Sequence, residues 1–270
     1  MRHAVDELER LVREVRETPK YKFVCEEVVR TVGSRELVGR RSWKEAVKAT
    51  KGKLHQIGAA YFEGTLDYRR WLEDMEVVLA SGDRAAFQLI CQAAMARHAS
   101  TRERLGILPR FFAETLGSLP ALGSVIDIAC GLNPLAIPWM PLGEDVRYAA
   151  YDIYTDMVDF LNGFMRMVGI HGHARAMDVT SSPPEHRADL ALILKSLPCI
   201  EQLDKTAPAR LLETLKVDHL LVSFPVRSLA GRQKGMPQTY ERRFLALVSG
   251  KPWSVQRFEY ETELAYLIGK

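Results

Sequence analysis

Apolar residues recur at helical spacing through about the first 118 positions. Val5, Leu8, Leu11, Val12 and Val15 make one stripe, which Thr18-Pro19 interrupts. Val24, Cys25, Val28, Val29 and Val32 make a second, which Gly33 is expected to end. A third helix opens with the capping box Ser42-Trp-Lys-Glu45, where each end residue can bond the other's backbone N–H. Its apolar side is Trp43, Ala46, Val47, Leu54, Ile57 and Tyr61. Two further helical stretches follow near Leu66–Ala80 and Arg84–Arg97, and Ser100 or Thr101 is placed to cap a short helix holding Glu103 and Arg104.

The period then changes. Ser124–Gly131 is a short apolar run ending in glycine, as a buried parallel strand does. Comparable runs are Val146–Ile153, His173–Val179, Asp189–Leu194 and His219–Phe224, the fourth extended at its end through Lys195 to Pro198. Helical segments lie between most of them, at Leu135–Met140, Asp156–Val168 and Ala207–Leu215. Such alternation predicts an α/β fold: a parallel sheet with helices on both faces. Val255–Tyr260 and Glu263–Ile268 are separated only by Glu261-Thr262, so the sheet should finish in an antiparallel hairpin.

At 270 residues the chain holds one large domain or two small ones, taking about 150 residues per domain as a soft guide. No apolar run approaches the roughly 20 residues of a membrane helix, and the charged first ten residues do not read as a signal peptide. Cys25, Cys91, Cys130 and Cys199 are scattered without metal-ligand spacing, which points to reduced thiols, a cytoplasmic location and no metal. His171-Gly-His173 lacks a nearby third ligand and reads as loop. The formal charge of +3 is balanced overall but uneven in distribution. Residues 30–53 carry eight basic side chains against Glu36 and Glu45, and residues 225–243 carry five against Glu241.

Open α/β sheets bind ligands at the carboxyl ends of their strands. The first such loop, Asp127-Ile-Ala-Cys-Gly131-Leu-Asn-Pro134, has one glycine rather than G-x-G-x-x-G, which disfavours NAD and FAD. S-adenosylmethionine (SAM) has no pyrophosphate. It needs one close backbone approach and carboxylates for its ammonium and ribose hydroxyls, and Asp127 and Gly131 suit its methionine part. Asp152 ends the second strand 21 residues after that glycine, the offset of a ribose-binding acid. Asp178 ends the third, where a carboxylate can take the adenine amino group. The first loop alone reads equally as a strained turn capped by Asn133, and Asp152 as the N-cap of the next helix; three carboxylates at successive strand ends favour SAM. Lys195, after an apolar strand, is expected at the same rim.

Several blocks then resemble the aminoglycoside-resistance 16S ribosomal RNA methyltransferases that modify N7 of a decoding-site guanine. They are His98–Leu105, Val125–Ala136, Asp189–Pro198, Val222–Met236 and Thr262–Ile268. The resemblance implies a Rossmann-like class I SAM methyltransferase sheet at 106–270, a helical RNA-binding extension at 1–105, and a monomer acting on 16S rRNA in the 30S subunit. It implies that Arg104 holds the SAM carboxylate, Gly131 meets the methionine portion, Asp152 binds the ribose and Asp178 the adenine side. Lys195, Arg227, Arg232, Lys234 and Glu263 would line the RNA-facing side, with Lys195 and Glu263 nearest the chemistry. In the capping-box helix, Lys44, Lys48 and Lys51, with Arg40 just upstream, share one side at about 100° per residue and suit phosphate contacts. A small-molecule methyltransferase with a helical lid, or an RNA-binding module with a relic pocket, are the other readings.

Overall fold

The computed structural model describes residues 2–40, 42–62, 66–143, 145–226 and 236–270. Seven helices come first: α1 (Arg2–Arg16), α2 (Glu26–Gly39), α3 (Trp43–Ile57), α4 (Tyr68–Ala80), α5 (Arg84–Met95), α6 (Ala99–Arg104) and α7 (Leu108–Leu116). The stripes seen in sequence are their buried sides: Leu11, Val12 and Val15 on α1, Val28, Val29 and Val32 on α2. Gly33 does not end α2. It lets α1 approach, since a Cβ there would stand 2.5 Å from Leu11 Cδ2, and the helix continues to Gly39. Ser42 caps α3, its Oγ accepting the Glu45 N–H at 3.3 Å, an interaction whose removal typically costs about 1 kcal/mol. The short helix α6 starts at Ala99 with His98 at its N-cap, earlier than Ser100 or Thr101.

The second half alternates as expected. The strands are β1 (Ser124–Ile128), β2 (Arg147–Asp152), β3 (His171–Ala176), β4 (Ala188–Leu194), β5 (Val217–Pro225), β6 (Ser254–Glu259) and β7 (Glu263–Gly269). The helices are α8 (Thr155–Met167), α9 (Leu197–Leu203), α10 (Ala207–Thr214) and α11 (Met236–Val248). The order in the sheet is β3-β2-β1-β4-β5-β7-β6. The first five strands pair in parallel, and β7 runs antiparallel between β5 and β6.

Four details differ from the sequence pattern. The segment after β1 is a 3-10 helix over Asn133–Trp139, not an α-helix, because Pro138 inside it removes an amide donor an α-helix needs. β3 lies earlier than expected, so His171-Gly-His173 is strand and Asp178 stands two residues past the strand end. β4 stops at Leu194, and Pro198 lies in the first turn of α9 rather than in a strand. α11 is a helix the sequence pattern does not predict.

One hydrophobic cluster joins α1–α3, α5, α7 and α8 to one face of the sheet. A second packs α9, α10 and α11 on the other. The helical extension therefore shares its core with the sheet. Among the described residues no helix is long and apolar enough to cross a membrane, and no group of side chains has metal-ligand geometry.

Candidate active site

The chain runs from β1 outward to β3 and then returns to β4 on the other side, so the loops after β1 and β4 part and leave a cleft between them. A cavity of about 690 Å³, counted to its open mouth, lies there. Asp152, Asp178 and Lys195 are in its wall, as are Ala129, Tyr154 and Thr180 from the sheet side. The opposite wall comes from the extension: Ile57 and Gly58 at the end of α3, then Tyr61, Phe62 and His98.

The carboxylates are placed differently from one another. Asp152 accepts the Gly131 N–H at 2.8 Å and the Ile153 N–H at 2.6 Å. Burial pushes its carboxyl up, against those backbone donors. Gly131 has φ +52°, and a Cβ there would stand 2.7 Å from His98 Cε1, so only glycine fits between the loop and the imidazole. Asp178 is buried; its Oδ1 takes the N–H and hydroxyl of Thr180 at 2.9 and 2.5 Å. Its Oδ2 has no hydrogen-bond partner within the protein, and neither has the Tyr154 hydroxyl. Two buried polar atoms in one cavity wall thus lack partners, which is costly unless a ligand supplies them.

Arg104, Asp127 and Gly131 lie behind this wall rather than in it. Arg104 is 1% exposed. Its Nε and Nη2 donate to Glu263 at 2.7–3.2 Å and its Nη1 to Asn133 Oδ1 at 2.9 Å. Asn133 Nδ2 and the Tyr148 hydroxyl both donate to Asp127 Oδ2, at 2.8 and 2.7 Å. Asp127 Oδ1 has no partner. Burial raises the Asp127 carboxyl to about 6 despite its two donors.

Lys195 is almost as deeply buried. Its Nζ meets Glu103 Oε2 at 3.0 Å, Glu263 Oε2 at 3.2 Å and the Ser100 carbonyl at 3.2 Å. Glu263 is 0% exposed, so it sits beneath the cleft and not on an RNA-facing surface. Burial alone would raise its carboxyl, but the Arg104 and Lys195 charges outweigh that and hold it low. Removing one partner from such a buried set typically costs about 3–5 kcal/mol, because the others are left uncompensated.

On α3, Lys44 and Lys48 are exposed and Lys51 is half-buried, opposite the buried Ala46, Val47, Thr50 and Leu54. Arg40 is exposed and pairs with Glu36 at 2.8 Å. Arg227, Arg232 and Lys234 lie outside the described residues.

Sequence reasoning missed the aromatic wall. His98 stacks on Tyr61 with ring centroids 5.8 Å apart and meets the Phe62 edge at 4.9 Å. Burial, followed by the nearby Arg104, Arg102 and Lys195 charges, lowers its pKa to about 3, so the imidazole is neutral. The signals for it were Tyr61 on the apolar side of the third helical pattern and His98 at the start of a block of the family resemblance.

A model of the ribosomal RNA methyltransferase (FmrO) family matches residues 17–267. The chain belongs to this family. A 16S rRNA (guanine(1405)-N(7))-methyltransferase of Frankia casuarinae is 38% identical over 96% of this chain and 94% of its own. One from Serratia marcescens is 34% identical over 93% and 94%. Among solved structures, the 16S rRNA methyltransferase RmtF in complex with S-adenosyl-L-homocysteine is 34% identical, covers 99% of this chain and 98% of its own, and superposes with a TM-score of 0.81. The 16S rRNA methylase RmtB is 28% identical over 97% and 98%, with a TM-score of 0.79. The family is thus represented over both the helical extension and the sheet.

Proposed function

We infer that this protein transfers a methyl group from SAM to N7 of guanine 1405 in 16S rRNA of the 30S subunit, and that the modification confers aminoglycoside resistance. The observation that carries this is the cleft at the β1/β4 switch, with Asp152 and Asp178 in its wall, in a chain whose family match runs from 17 to 267. The reaction takes place in the cytoplasm, where ribosomes are, and the enzyme works as a monomer.

The residues present fit the donor. The unpartnered Asp178 Oδ2 suits the adenine amino group, and Asp152 the ribose hydroxyls. Gly131 is assigned to the methionine portion. Arg104 is assigned to its carboxylate and Asp127 to its ammonium, both reached from behind the cavity wall. When bound, SAM supplies an electrophilic methyl group on a sulfonium.

Guanine N7 carries a lone pair and no proton, so the protein needs no general base. Its work is to hold N7 in line with the methyl at near-attack distance and to exclude water. Tyr61, Phe62 and the neutral His98 close the cavity on the extension side and suit the second task. Lys195 is assigned to the target side. Glu263 acts through Lys195 and Arg104, which it holds. A guanine within a helix must first be exposed, by flipping or local distortion. Residues 1–105 are assigned to subunit docking, with Arg40, Lys44, Lys48 and Lys51 on phosphates; Arg227, Arg232 and Lys234 are assigned to the same surface.

Incubation with methyl-labelled SAM tests this reading. Label should enter 16S rRNA when 30S subunits are present. Transfer to small molecules without ribosomes would overturn it.

A further inference from the structure

Two described non-glycine residues have positive φ, Ala129 at +49° and Lys195 at +59°. They follow β1 and β4, and both line the cavity. A lysine in the left-handed region is disfavoured and persists only where its surroundings hold it. The neighbour that holds Lys195 is Ser223 on β5. Leu194 and Ser223 are in register. The Lys195 N–H then donates to the Ser223 carbonyl at 3.0 Å and to its Oγ at 3.1 Å.

The same hydroxyl donates to Glu263 Oε1 at 2.5 Å. The other Glu263 oxygen accepts Lys195 Nζ at 3.2 Å. A ring closes: the amide and the ammonium of one lysine are both fixed, directly or through one carboxylate, by one serine. Ser223 is 0% exposed and absent from the cavity wall, so it touches neither the cofactor nor the target base. A core serine needed only for its own satisfaction requires one partner; this one links a strained backbone to a buried carboxylate.

We propose that Ser223 is a positioning residue for methyl transfer, setting where the Lys195 ammonium stands at the cleft. This rests on the methyltransferase reading above, with Lys195 on the target side. Ser223→Ala removes the hydroxyl that joins the Lys195 amide to Glu263, while leaving that amide its bond to the residue 223 carbonyl and Glu263 its two cations. Misplacement of a reacting arrangement by about 1 Å costs up to ~100-fold in rate, so a loss of about tenfold or more is expected in single-turnover methylation of 30S subunits. Affinity for S-adenosylhomocysteine should stay within about twofold, since Arg104 keeps its bonds to Glu263.

The decisive measurement is the double-mutant cycle with Lys195→Ala. If Ser223 acts through Lys195, then Ser223→Ala causes no further loss in the Lys195→Ala background, and Ser223→Cys, a weak donor of similar size, recovers part of the rate. Additive losses would overturn the proposal, as would a Ser223→Ala rate equal to that of the parent protein. Thermal melts of each variant identify any that fail to fold, and for those the Ser223→Cys comparison alone decides: a rate equal to the parent's overturns the proposal and a reduced rate supports it. A parent protein inactive on 30S subunits would instead defeat the methyltransferase reading, a separate outcome.

Discussion

Asp178 is the residue whose surroundings say most about a ligand. Thr180 occupies one carboxylate oxygen, and the other faces the cavity with no partner. Asp178→Asn keeps an acceptor for Thr180 and offers a donor where the adenine amino group needs an acceptor. Affinity for S-adenosylhomocysteine should fall about tenfold, the equivalent of one lost hydrogen bond of ~1.4 kcal/mol, when titrated by calorimetry. Unchanged affinity would remove Asp178 from the adenine site. Asp127 makes a different prediction. Its folded pKa of about 6 exceeds the ordinary value of about 3.9. The folded state holds this proton more tightly, so the contribution favours folding at low pH and is lost as pH rises between about 4 and 6. Above that window the buried charge costs roughly 3 kcal/mol. Asp127→Asn lacks this titration, so its stability relative to the parent should rise by up to roughly 3 kcal/mol from pH 4 to 7.5 in urea unfolding. A difference independent of pH would contradict the raised value. Asp127, Asp152 and Asp178 were visible in sequence because each lies near the carboxyl end of a strand run. Glu263 was visible only by resemblance, and its partnership with Arg104 was not visible at all: the two are 159 positions apart, and no spacing rule joins them.

At the scale of elements, α3 has two duties. Its apolar side packs within the extension, its last turn gives Ile57 and Gly58 to the cavity, and Lys44 and Lys48 face outward. Reversing both charges, Lys44→Glu with Lys48→Glu, should weaken 30S binding and reduce the slope of log K against log salt by about 2, if each meets one phosphate. Cofactor affinity should not change, since neither side chain lines the cavity. Filter binding across a salt series reads both slope and affinity; an unaltered slope would remove this face from the interface. The helices of the extension, α8, α10 and the hairpin were legible because amphipathic periods of 3.6 and short strand runs are local signals. The 3-10 turn at Asn133–Trp139 and helix α9 were not, because proline has opposite meanings within a helix and in its first turn.

For the whole molecule, the uneven charge now has a structural frame. Most of one basic stretch, residues 30–53, lies on α2 and α3 of the extension, while Asp152 ends β2 and Asp178 follows β3 by two residues. The two halves share one hydrophobic cluster, so the extension and the cleft belong to one body. What no local pattern could supply is how the extension's aromatics meet His98 and the β1 loop; that depends on packing between distant segments. The central claim concerns one atom of one nucleotide. A guanine methylated at N7 becomes cationic and labile, so reduction followed by aniline treatment cleaves RNA there. Treating 16S rRNA from subunits incubated with this protein and SAM should give a single new strand break at guanine 1405, absent without SAM. A break at another nucleotide, or methyl incorporation without any break, would contradict the account.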